Sequence, residues 1–318
     1  MRELDPAVTT VVARCLGIGA GETALVIADS GTAPIGEALR LAAAERGADA
    51  VLALMDERAT DGSEPPSPIA AALAACDVYV AATSRSLSHT TARKRATDAG
   101  VRGATMPGVT PEMLARVMAV NFERMSAWSN AISELLTAGD AARVTCPLGT
   151  DLTVDLHGRY GISDDGDLTA RGAFGNLPCG EAFIAPVTGE GRIVASSLAR
   201  LGISHTPATL TVRDGRLVSA EGGLGPEFIR LLEAHGGMGT NLAELGVGTN
   251  DRAILTGSVL EDEKILGTVH VAFGASAGIG GTVSVPIHLD AVVTEASLTI
   301  DDIAVLEAGR LVLDSRVP

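Results

Sequence analysis

The sequence predicts an α/β fold: an N-terminal open parallel sheet with helices on both faces, followed by a mostly antiparallel, β-rich α+β domain. Three observations carry the architecture. Short β-branched runs alternate with helical stretches from residue 22 to about 138, the order that βαβ units leave in a chain. Beyond residue 149 the pattern changes to short alternating runs with tight-turn signals. A content of 46% apolar and 20% charged residues is that of a globular protein and excludes a disordered, collagenous or coiled-coil chain.

Taken in order, residues 24–28, 50–54 and 78–82 read as strands, with helices over 35–46 and 68–75 between them. Gly47 and Gly100 stop the helices that precede them, and Thr110-Pro111-Glu112 places a capping residue before a proline at a first helical position. Turn formers between Gly139 and Gly149 end the alternation, which sets two domains at residues 1–140 and 141–318. In the second, residues 152–156 form a strand, and residues 210–218 form a hairpin turned by Asp214-Gly215. A helix over 226–234 interrupts the strands. Glycines such as Gly236-Gly237, Gly274, Gly278 and Gly280-Gly281 let the backbone turn sharply or approach a ligand closely.

A chain of 318 residues has room for two cores. Its 24 basic and 39 acidic residues give 24 − 39 = −15, a charge that repels nucleic acid and anionic membranes. No apolar run reaches the ~18 residues of a membrane helix, and Met1-Arg2-Glu3-Leu4-Asp5 is no basic leader, so the expected location is the cytoplasm. Cys15, Cys76, Cys146 and Cys179 lie far apart without a CxxC, which suggests reduced thiols rather than a disulfide framework or zinc ribbon.

The sharpest chemical feature is His288-Leu289-Asp290. Residues two apart on a strand share a face, so an imidazole and a carboxylate aim at one point, as metal ligands do; a surface pair on a half-exposed strand is the plainer account. His270 stands in an otherwise apolar run, where an imidazole needs a partner, and Glu181 and Glu244 are single acids in glycine-rich apolar surroundings. Together these five make a mixed oxygen and nitrogen set for a divalent metal. His235, just past the predicted helix, is either a helix C-cap or an alternative ligand. Glu261-Asp262-Glu263-Lys264 reads as a solvated acidic run, within which Glu263 is the candidate for a catalytic general base or for support of the ligands. Asp29-Ser30-Gly31-Thr32 reads as a plain βα turn rather than a dinucleotide loop, and His89 and Arg93, four apart on a helix, as a surface pair. Nucleophilic hydrolysis has no motif to support it, since no Gly-x-Ser-x-Gly occurs.

These segments resemble the metallo-aminopeptidases typified by aminopeptidase T and aminopeptidase S and their shorter relatives, most strongly over residues 170–295. The stretch from Asn176 to Pro186 is similar to the family segment that contributes a first glutamate ligand, and Glu244-Leu245-Gly246 to that of the second. The run His270-Val271-Ala272-Phe273-Gly274 resembles the first histidine's context, and His288-Leu289-Asp290 the paired terminal ligands. The resemblance implies that Glu181, Glu244, His270, His288 and Asp290 hold two divalent ions (Zn, Co or Mn), that the substrate is a small peptide or amide, and that the protein is a homodimer. The chain departs from the family after its first histidine ligand: a tyrosine expected there is replaced by Ala275-Ser276-Ala277-Gly278, and the tyrosines present are Tyr79 and Tyr160.

The likeness extends to the iron-dependent dioxygenases that open 2,5-dihydroxypyridine. That relation implies one Fe(II) on two histidines and one carboxylate, supplied by His288, Asp290 and either His270 or His235. The leading expectation is thus a two-metal hydrolase, with an Fe(II) dioxygenase second and a non-catalytic small-molecule-binding protein third.

Overall fold

The computed structural model describes residues 4–313, and they fold as two compact units. One runs to Val120 and takes in Gly166–Cys179; the other comprises Asn121–Asp165 and the chain from Gly180 onward. Along the chain, α1 (Asp5–Thr9), β1 (Thr23–Asp29), α2 (Ala33–Glu45), β2 (Asp49–Met55), α3 (Ser67–Leu73), β3 (Val78–Ala82), α4 (Thr91–Asp98), β4 (Arg102–Thr105) and α5 (Pro111–Val117) lead to α6 (Phe122–Ala138). Then come β5 (Ala141–Thr145), β6 (Asp151–Asp155), β7 (Ile162–Asp164), β8 (Phe174–Asn176), β9 (Glu181–Ile184), β10 (Thr188–Leu198), β11 (Gly202–Arg213), β12 (Arg216–Glu221) and α7 (Gly225–Glu233). The last are β13 (Leu242–Gly248), α8 (Val259–Asp262), β14 (Val269–Gly274), β15 (His288–Val293), β16 (Ser297–Ile300), β17 (Ile303–Glu307) and β18 (Arg310–Leu311).

The first unit is a parallel sheet of order β2-β1-β3-β4-β8. Parallel neighbours need crossovers, and α2, α3 and α4 supply them. Helices α1, α2 and α5 pack together and α3 packs on α4, two separate helical groups of the kind that line the two faces of such a sheet. Thr110 caps α5 by accepting a hydrogen bond from the Met113 amide (3.2 Å), and the sequence-marked stops Gly47 and Gly100 take φ +87° and +93°. Asp29, at the end of β1, accepts from the amides of Gly31 and Ser84 and from the hydroxyls of Thr32 and Ser84. Its oxygens brace the βα turn.

The second unit is a large antiparallel sheet of order β18-β17-β16-β5-β6-β10-β15-β14-β13-β9-β7, with β11 and β12 joined through β10. The Asp214-Gly215 hairpin forms as the sequence indicates, both residues having positive φ (47° and 67°). One face of β9, β13, β14 and β15 sends Ala182, Ile184, Leu245, Val247, Val269, Val271, Phe273, Leu289, Ala291 and Val293 into a single apolar core.

The units divide elsewhere than at residue 140. Helix α6 packs on β7 and β9 and so belongs to the antiparallel unit, while 166–179 returns to the first unit to add β8 beside β4. An amphipathic helix does not announce which sheet it will cover, and three residues of β8 carry no usable periodicity. None of the four cysteines forms a disulfide. No helix among the described residues is long and apolar enough to cross a membrane.

Candidate metal centre

The other face of the same strands builds the site, and the strand register explains why. On β14, His270 lies opposite Gly246 of β13 and Val292 of β15, Ala272 opposite Glu244 and Asp290, and Gly274 opposite His288. On the far side of β13, Gly248 pairs with Glu181 of β9, which in turn pairs with Asp164 of β7. Directly paired residues of an antiparallel sheet point the same way. Five adjacent strands therefore present Asp164, Glu181, Glu244, His270, His288 and Asp290 on one face, with small residues (Gly246, Gly248, Ala272, Gly274) at the positions between. The alternation that buries Val269, Val271 and Phe273 on one side is what gathers the charges on the other.

The side chains meet. His270 Nε2 lies 3.2 Å from Glu181 Oε2 and 3.3 Å from Glu244 Oε1, and His288 Nε2 lies 3.3 Å from Glu244 Oε2 and 3.7 Å from Asp290 Oδ1. Glu244 thus offers one carboxylate oxygen to each imidazole. Two sets of candidate ligand atoms result, Glu181–Glu244–His270 and Glu244–His288–Asp290, each with its atoms within 4.8 Å of one another. His288 Nδ1 donates to the Ala275 carbonyl at 2.8 Å; a carbonyl can only accept, so that bond puts the proton on Nδ1 and aims Nε2 at the site. Gly246 leaves room for the His270 ring, because a Cβ there would sit 1.9 Å from His270 Nε2.

Two participants, Lys264 and Asp164, carry no mark of a site residue in the sequence. Lys264, whose side chain is 0% exposed, donates from Nζ to Glu181 Oε1 (2.6 Å) and Glu263 Oε1 (2.5 Å), with Asp164 Oδ2 at 4.0 Å. The acidic run before it is no solvated loop. Glu261, Asp262, Glu263 and Lys264 are all buried, Glu261 accepting from the Ile254 amide and Asp262 from the amides of Thr256 and Gly257 and from Ser197 Oγ. Acids that cap a loop's own amides look identical in sequence to acids that face water, and a lysine beside them looks like their solvated partner. His235 does not join the cluster: it is exposed in the turn after α7 and belongs to neither ligand set. His89 precedes α4 instead of lying within it, in the turn that leads to the Thr90 cap.

Burial and charge set the protonation of the site. Burial alone would raise the Glu244 carboxyl, but hydrogen bonds and charge from His270 and His288 outweigh it and hold that pKa well below the usual carboxylate range. Burial opposes charging both histidines, yet Glu181 and Glu244 around His270, and Asp290 and Glu244 around His288, hold their pKa values well above the usual one. Burial pushes Asp164 and Glu263 up to about 8, against the pull of the Lys264 ammonium.

A divalent cation fits these residues. Glu181 Oε2 and His270 Nδ1 are buried without an aligned hydrogen-bond partner. Carboxylates far outnumber the single ammonium among them, and the mixture of imidazole and carboxylate donors suits first-row divalent ions. His288, 17% exposed, is the most open of the five ligand candidates, so the cluster meets solvent on its side.

The chain is similar to known proteins along nearly its whole length. The family model for NicX, 2,5-dihydroxypyridine 5,6-dioxygenase, matches residues 4–313. No curated protein matches the chain. Among solved structures, the 2,5-dihydroxypyridine dioxygenase of Pseudomonas putida KT2440 is 20% identical, with 97% of this chain and 96% of that chain covered and a TM-score of 0.83. AmpT from Thermus thermophilus is 19% identical, with coverage of 98% and 99% and a TM-score of 0.71. At these identities the two structures speak for the fold, whereas the match along nearly the whole chain decides the family: the protein belongs to the NicX family, that of 2,5-dihydroxypyridine 5,6-dioxygenase.

Proposed function

We propose that the protein is an Fe(II)-dependent dioxygenase that opens a small hydroxylated aromatic ring of the dihydroxypyridine type, with His270, His288 and Asp290 as the iron ligands. The observation that carries this reading is a two-histidine, one-carboxylate set on adjacent strands of a chain whose family model is that of such an enzyme. Iron held by three protein groups supplies one-electron chemistry together with open positions for substrate and O₂. The chain's own residues then have distinct tasks. The Ala275 carbonyl fixes the His288 tautomer, Glu244 steadies both imidazoles from within, and Lys264 holds Glu181 in place. Glu263, the candidate proton carrier of the sequence, has one oxygen on Lys264, and we assign it to positioning that ammonium. The partners in this reading are small molecules alone, since a net charge of −15 disfavours polyanions.

A two-metal, aminopeptidase-like hydrolase is the second reading. In its favour, Glu244 faces one oxygen to each ligand set, as a bridging carboxylate does. It has less support because the tyrosine that the aminopeptidases carry after their first histidine ligand is replaced here by Ala275-Ser276-Ala277-Gly278. Oxygen-electrode traces of Fe(II)-loaded protein with 2,5-dihydroxypyridine separate the readings. Oxygen uptake with loss of the ring's ultraviolet band is expected; hydrolysis of small peptides by the Zn- or Co-loaded protein, without oxygen uptake by the iron form, would transfer the assignment to the hydrolase.

A further inference from the structure

Lys264 bears on how many ions the cluster holds. A fully buried ammonium is costly unless opposite charges surround it, and here Glu181, Glu263 and Asp164 do so. The consequence falls on Glu181. Its Oε1 is committed to Lys264, which leaves only Oε2 facing His270. A divalent ion in the Glu181–Glu244–His270 set would share that one carboxylate with the ammonium, two positive charges facing each other across a single small group in a dry environment. The carboxylates around the Lys264 ammonium are Glu181, Glu263 and Asp164, whereas the far side of the cluster holds His288, the ligand candidate nearest solvent.

We propose that the Lys264 ammonium is a built-in second cation: it takes the place of one divalent ion beside Glu181 and restricts the cluster to the single metal on His270, His288 and Asp290. The proposal rests on the one-iron reading above and assigns to a residue of this chain the reason for it. Lys264 is then a positioning and specificity residue that sets metal stoichiometry without touching substrate.

The test is elemental analysis of wild-type, Lys264→Met, Lys264→Arg and Glu181→Gln proteins, each equilibrated with excess Mn(II) and freed of unbound ion, with circular dichroism as the check of folding. One ion per chain is expected in the wild type, in Lys264→Arg, which keeps the charge, and in Glu181→Gln, which removes only the lysine's partner. Two are expected in Lys264→Met. One ion in a folded Lys264→Met protein overturns the role of Lys264 while leaving the one-iron reading intact; two ions in the wild type overturn both. If Lys264→Met does not fold, Glu181→Gln decides: retention of one ion within about threefold of wild-type affinity supports the proposal, and loss of the ion refutes it by making Glu181 an indispensable ligand.

Discussion

Replacing Gly246 by alanine probes the packing that gives the metal centre its shape. A Cβ built at Gly246 would meet His270 Nε2 at 1.9 Å, Cε1 at 2.2 Å and Cδ2 at 2.7 Å. Non-bonded carbon contacts settle near 3.5 Å, so the ring must retreat by roughly 1.6 Å. Metal ligands tolerate displacements on the order of 0.2–0.5 Å. His270 is fully buried on β14 between β13 and β15, so a shift of that size takes its Nε2 away from Glu181 and Glu244 and out of the proposed ligand position. The expected result is a loss of at least ~10–100-fold in metal affinity, the size of effect seen when support for a ligand is removed. Overpacking should cost the metal-free fold about 1–3 kcal/mol. Metal titration followed by fluorescence or calorimetry, beside thermal unfolding, reads both. Gly19→Ala, at ordinary φ with open space around it, is the control that should change neither. A Gly246→Ala protein with metal affinity within twofold of wild type would refute the argument that His270 sits on Gly246 as a ligand.

Other perturbations follow from the same geometry. His288→Ala should bind metal at least ~10-fold more weakly and lose turnover, yet unfold within about 1–2 kcal/mol of wild type because its ring is partly exposed; a variant that unfolds outright, or one that keeps its metal, would point to a structural histidine. His235→Ala should leave metal content and activity unchanged, since its side chain lies in an exposed turn, and a loss of metal would return it to the ligand set. In the metal-free protein the raised pKa values of His270, His288, Asp164 and Glu263 mean that the folded state binds protons more tightly than the unfolded one. Their stabilising contribution is full below the unfolded pKa values and is lost as pH rises toward the folded ones, so metal-free stability should fall between about pH 4.5 and 8. Metal must displace protons from the histidines, so its affinity should rise over the same window, with proton release visible as a buffer-dependent binding enthalpy. A buffer-independent enthalpy and flat affinity would contradict this.

The parts of the site visible in the sequence are those fixed by short-range periodicity. His288 and Asp290 share a face because a strand repeats every two residues, and His270 stands out because the runs beside it are apolar. Glu181 and Glu244 are single acids whose place depends on family likeness until the register of β9, β13 and β14 puts them beside the histidines. Lys264 and Asp164 gave no such signal. Asp164 reaches the cluster only because β7 pairs with β9, and Lys264 because the loop around α8 is tied down by Glu261 and Asp262. The density of glycine was legible but its use was not, for Gly246 accommodates an imidazole of the neighbouring strand. The parallel sheet was predictable from its first three strands, whereas β8 arrives from a distant segment that no local pattern links to β4.

The proposed site holds one iron on His270, His288 and Asp290. Crystals of the Fe(II)-loaded protein, measured at the iron absorption edge, test it directly. One anomalous peak per chain within ligand distance of His270 Nε2, His288 Nε2 and an Asp290 carboxylate oxygen is the expected outcome. Two peaks bridged by Glu244, one of them bound to Glu181, would contradict it.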